Sequence, residues 1–258
     1  MFAIPESKRG VNLEVLIYMI STVMLACIGS FIGVCCERLP RNEQVLKGRS
    51  RCDSCENALR APELIPVISY LVLRGRCGRC KAKISAFCVL IELATIAFGL
   101  LPLIMIGLTV QGFAYSAATC ILIEIAVMDY KTMEISDLAN VMIAMIGLVL
   151  MFVNGSYTSS LIGMICVSVP FLILVLFKAM GWGDVKLMAA VGILLGIQGV
   201  LLAAFFGIIV GSIAAMFMKL KKLRGWKSEM AFGPFLCVGA YAAMLFGPKC
   251  ISLYLSLF

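Results

Sequence analysis

Apolar residues fall in long blocks along this chain, at 13–36, 86–109, 112–129, 137–153, 158–178, 186–197, 199–218 and 231–256. Short polar connections separate most of them, and one long polar insert, 37–85, follows the first. A helix needs about twenty apolar residues to cross some 30 Å of hydrocarbon, and most of the blocks meet or approach that length. The pattern predicts an all-α polytopic membrane protein of about eight transmembrane helices, with a small insert between helices 1 and 2. The block at 186–197 is short and interrupted by glycine, so it is expected to be tilted, broken or fused to its neighbour. The first block carries no small-residue cleavage site and is expected to be retained as a helix, as a signal-anchor would be. Three stretches result: 1–36 with the first helix, 37–85 with the insert, and 86–258 with the remaining helices.

Composition agrees with this reading. The 258 residues are 62% hydrophobic and 14% charged, with a mean hydropathy of +1.05, far from the balance of a water-soluble domain. The positive charge is unevenly placed, with eleven Lys and Arg against five acids in the insert. Putting the insert in the cytoplasm also puts 130–136, 179–185 and 219–230, with its "KKLRGWK", on that side. Only Lys8, Arg9 and Lys249 then lie outside, so the positive-inside rule orients the chain with both termini outside. Topology and anionic lipid headgroups account for the net charge of +8, and no nucleic-acid partner is needed.

The insert holds Cys52 and Cys55 in "CDSC", then Cys77 and Cys80 in "CGRC". Two C-x2-C pairs are the donor set of a closed, structural, all-thiolate zinc site. An insert of about fifty residues with few apolar positions buries little core, and a metal worth on the order of 10 kcal/mol can fold it. The competing reading is a thiol-redox protein using the same pairs, which a cytoplasmic location disfavours.

The chain contains no histidine, which removes HExxH metalloprotease chemistry, Ser-His-Asp triads and Cys-His dyads together. Four acids stand within or at the ends of apolar blocks: Glu92, Glu124, Asp129 and Asp184. Each would cost about 2.5–3.5 kcal/mol at a helix centre, which makes each a functional candidate. The topology puts Asp129 and Asp184 at one membrane depth, on the cytoplasmic side. Two close carboxylates share one proton, so one can act as base toward water while the other polarises a peptide carbonyl. Gly181 and Gly183, in "GWGDVK", leave backbone clearance for an extended substrate strand beside Asp184. Glu92 is a candidate anchor for the insert or contact for a substrate charge, and Glu124 a candidate buried partner; both are left out of the catalytic set.

These residues resemble the type IV prepilin leader peptidases, membrane aspartyl proteases with a GxGD motif. The likeness runs through "GSFIGVCCERLPR" (Gly29–Arg41), the cysteine-bearing segment Arg51–Ser85, "MDYKTMEISD" (Met128–Asp137), "GWGDVKLMAAVG" (Gly181–Gly192) and "AFGPFLCVGA" (Ala231–Ala240). It implies that Asp129 and Asp184 are catalytic. It also implies a bacterial cytoplasmic-membrane enzyme that removes the basic leader of prepilins and pseudopilins after a Gly. Many members of the family also methylate the new N-terminus with S-adenosylmethionine, and no Gly-rich methyl-donor loop is present here to support that step from the residues. One departure is Ser136, where the family commonly has Pro.

Overall fold

The computed structural model describes residues 6–41, 43–45, 50–52, 54–178, 180–220 and 230–256. They form eight α-helices: α1 (Glu6–Arg38), α2 (Ile68–Val72), α3 (Ala86–Ile106), α4 (Val110–Thr132), α5 (Asp137–Asn154), α6 (Tyr157–Leu176), α7 (Trp182–Leu220) and α8 (Gly233–Leu255). No strand occurs among the described residues, and two isolated antiparallel bridges lie in the insert. The chain divides into two compact units, Met1–Ile104 and Met105–Phe258. The basic stretch "KKLRGWK" lies outside the described residues.

In the first unit α1 and α3 pack antiparallel. Leu25 lies against Gly99, Gly29 against Thr95 and Gly33 against Cys88, and the Tyr18 hydroxyl donates to the Leu103 carbonyl at 3.2 Å. Lipid tails are as apolar as leucine, so helices in a membrane gain from close van der Waals contact rather than from hydrophobic burial. Small residues along the seam allow that contact. Large side chains face outward instead, as at Val23 (64% exposed) and Leu90 (62%).

In the second unit the buried core runs between α4, α5, α6, α7 and α8, through Ile125, Ile143, Phe171, Val191 and Leu236. Among the described residues, seven helices are long and apolar enough to cross a membrane, one fewer than the eight expected blocks. The difference lies in α7, one 39-residue element that runs through the blocks at 186–197 and 199–218. Gly196 interrupts it with φ 68° and ψ −177°, a conformation open to glycine but not to a residue with a β-carbon.

The contacts reveal what this break does. Gly183, at the start of α7, touches Ile135, and Ile135 touches Gly233; the adjacent Phe232 packs on Gly211. A straight helix would hold residues 183 and 211 about 42 Å apart, which that short chain of contacts cannot span. The helix therefore folds back at Gly196. Its two halves cross the bundle in opposite directions, the first only about 21 Å long. The Ile197 N–H that opens the second half donates to Ser159 Oγ at 3.3 Å, which satisfies a new helix-start donor.

Candidate active site and metal centre

Asp129 lies in the last turn of α4 and is 5% exposed. Its Oδ2 accepts the backbone N–H of Gly233, the first residue of α8, at 2.9 Å. The carboxylate thus faces the positive end of a helix, where unpaired amides point outward. Asp184 lies in the first turn of α7, 7% exposed, and its Oδ2 accepts the Gly181 N–H at 3.3 Å. An acid three residues into a helix commonly reaches back in this way to its start. Asp184 thereby closes the turn that carries it.

Ile135 joins the two carboxylate-bearing segments. A β-carbon built on Gly183 would lie 2.9 Å from Ile135 Cβ, and one on Gly233 would lie 3.2 Å from Ile135 Cδ1. In this structure the Ile135 side chain fills the space beside Gly183. A β-carbon on Gly181 would make only ordinary contact, 3.5 Å from Asp184 Oδ2, so that residue contributes its N–H instead. Asp129 and Asp184 are close enough for the charge of one to act on the other. Cys237, 4% exposed on α8, lies within electrostatic range of both. Lys186 bonds Asp137 at 2.7 Å and ties the starts of α7 and α5 together at the surface.

Glu92 belongs to the first unit. It is 6% exposed on α3, and its Oε2 accepts the Val67 N–H at 2.7 Å. Val67 has φ 59°, an outlying conformation for a β-branched residue that its surroundings must hold in place. Glu92 therefore anchors the insert. Glu124 is half-buried on α4 and makes no hydrogen bond among the described residues. Gly233 and Ile135 had no role in the sequence reading; the quoted "AFGPFLCVGA" and "MDYKTMEISD" contained them without distinguishing them.

The four cysteines of the insert come together as two matching turns. Cys52 N–H donates to Asn57 O and Glu56 N–H to Cys52 O; Cys77 N–H donates to Ala82 O and Lys81 N–H to Cys77 O. Glu56 and Lys81 occupy the same left-handed position in each turn, with φ 55° and 59°. The four sulfurs lie within 4.8 Å of one another, and Cys52 Sγ is 3.8 Å from Cys80 Sγ. Sulfurs bound at about 2.3 Å to one tetrahedral Zn²⁺ stand about 3.8 Å apart, whereas a disulfide needs about 2 Å. The cluster fits zinc. The backbone N–H groups of Cys80 and Arg79 pull the Cys77 thiol down to about 7. Against the pull of the Ala82 N–H, desolvation and the neighbouring thiols push Cys80 up to about 11.

Residues 23–106 match the family described as Bacterial Peptidase A24 N-terminal domain, and 116–216 match the Type IV leader peptidase family. A Burkholderia pseudomallei (strain 1026b) protein named prepilin leader peptidase/N-methyltransferase is 32% identical over 89% of this chain and 78% of its own length. A Bacillus subtilis (strain 168) protein of the same name is 28% identical over 89% of this chain and 94% of its own. One from Neisseria gonorrhoeae is 32% identical over 78% and 72%. No solved structure matches the chain.

Proposed function

Because the chain belongs to the type IV leader peptidase family, we propose that it is a membrane aspartyl endopeptidase that removes the basic leader of prepilins and pseudopilins. The observation that carries this reading is the pair itself. Asp129 and Asp184 are buried on separate helices, each held by one backbone amide, with Ile135 packed against the neighbouring Gly183 and Gly233, in a chain without histidine.

The pair works as one acid and one base. The ionised carboxylate takes a proton from a water as its oxygen bonds to the scissile carbonyl carbon. The protonated carboxyl gives its proton to the carbonyl oxygen, and a gem-diol forms. Collapse of that intermediate restores the carbonyl and breaks the C–N bond. The leaving nitrogen takes the proton the first carboxylate had collected, and the second carboxyl recovers its own. The mechanism asks for nothing that the chain lacks.

The charge distribution favours placing the insert and both aspartates on the cytoplasmic side of the bacterial inner membrane. Zinc, held by Cys52, Cys55, Cys77 and Cys80, would be structural, since four thiolates leave no open position. N-methylation of the new terminus with S-adenosylmethionine rests on the relatives' names, and we assign no residue to it.

The test is leader removal from a prepilin-like substrate by Asp129→Asn and Asp184→Asn. Each change should cost about a thousandfold or more while the protein still accumulates in the membrane. Normal processing by either variant would overturn the reading.

A further inference from the structure

Asn140 sits in the second turn of α5, 5% exposed, and neither its Oδ1 nor its Nδ2 has a hydrogen-bond partner among the described residues. More than nine in ten buried polar groups in folded proteins are paired, so an amide with both ends open calls for a partner that arrives from elsewhere. The position of Asn140 indicates which. Asp137 pairs with Lys186, and Gly147 packs on Leu194, where a β-carbon would lie 2.7 Å from the Leu194 nitrogen. These two contacts set the register of α5 against α7. Asn140 lies on the stripe of Gly147, two turns away, and the register puts it beside Leu187 and Met188, both fully buried. Those residues are one turn past Asp184.

Ser136 is the N-cap of α5, so Ile135 and Asn140 are the two positions that a hydrophobic staple brings together. A staple normally pairs two apolar residues, and here the inner member is a carboxamide. The outer member is the Ile135 side chain that fills the space at Gly183 and Gly233. Displacing that one side chain would free the backbone at Gly183 and Gly233 and, by the geometry of a staple, the amide as well.

We propose that the Asn140 carboxamide is a peptide-backbone subsite, covered by Ile135 in the free protein and exposed when substrate displaces that side chain. A carboxamide carries a donor and an acceptor side by side, complementary to the C=O and N–H of one peptide unit in an extended strand. The inference rests on the peptidase reading and adds to it a residue that grips the substrate without joining the proton transfers.

Asn140→Leu keeps the shape and removes both polar atoms, so a folded variant is expected with melting temperature unchanged or raised. The probe is a synthetic peptide with a basic leader, a Gly at the cleavage point and an apolar stretch after it. Its binding is measured on purified protein in the Asp129→Asn background, where cleavage is blocked. Asn140→Leu should weaken Kd by roughly tenfold or more, and Asn140→Thr, which keeps a donor and an acceptor, by less. Unchanged Kd in Asn140→Leu overturns the proposal whatever the melting temperature does, since the amide would then serve only a resident water. Binding without cleavage by the otherwise unaltered protein would remove the peptidase reading and leave the subsite open to the same Kd comparison. Failure of the unaltered protein to bind the peptide would remove both.

Discussion

The Gly233 amide donates to Asp129 Oδ2 at 2.9 Å, joining residues 104 positions apart in the chain. The start of α8 is thereby part of the carboxylate site, although no titratable group lies in the glycine itself. A β-carbon there would meet Asp129 Cγ at 3.0 Å, a tight contact, and Oδ2 at 2.6 Å, closer than real contacts allow.

Gly233→Ala should therefore swing the Asp129 carboxylate off its amide. Leader removal is expected to fall about a hundredfold, with thermal unfolding in detergent little changed. Activity within twofold of the parent would mean that the carboxylate does not need this position.

Gly192 and Gly163 bring α7 and α6 into backbone contact; a β-carbon on Gly163 would lie 2.7 Å from both the Gly192 oxygen and the Gly196 carbonyl carbon. Gly192→Leu forces the helices apart next to the Gly196 fold-back. A loss of about 3 kcal/mol of stability is expected, read as a lower melting temperature. A variant as stable as the parent would contradict the close packing.

Zinc retention should depend steeply on pH. Cys77, held near 7 by the Cys80 and Arg79 amides, ionises readily, and Cys80, pushed up to about 11, gives up its proton to solvent when the metal binds its sulfur. A depressed thiol favours the folded, ionised form above its folded value and loses that advantage as pH falls through about 7. Metal affinity measured by competition with a chromophoric chelator should therefore drop sharply below pH 7. Flat affinity between pH 8 and 6 would exclude a thiolate site.

The Lys186–Asp137 pair is short but open to solvent, with side chains 50% and 72% exposed. Lys186→Ala should cost no more than about 0.5 kcal/mol in unfolding measurements. A much larger loss would mean that the pair positions α7 for reasons beyond its charge.

Hydropathy alone carried most of the fold. Spans are long, and each must satisfy its own backbone within the membrane, so helices follow from apolar length without any tertiary contact. The four zinc-type cysteines were legible for a similar reason, since their spacing is local and their chemistry leaves few alternatives. The interrupted block at 186–197 also carried a signal. Its glycines announced a break, but whether α7 would kink, tilt or double back depends on what Gly196 and Gly211 touch.

Residues whose importance lies in their neighbours were hidden. Ile135 is one apolar residue in a short connection, Gly233 one glycine among 23, and Asn140 one amide in an apolar helix. Their meaning arises where α4, α5, α7 and α8 converge. By itself the sequence determined that this is a multi-span membrane protein with a four-thiolate cluster and two costly aspartates, because hydrophobic length, ligand spacing and charge in an apolar setting are properties of the chain. Only the tertiary structure decided that Gly233 holds Asp129, that Ile135 occupies the space between the two carboxylate segments, and that Asn140 is buried without a partner. Those facts depend on distances between residues far apart in sequence, which packing sets and local pattern does not encode.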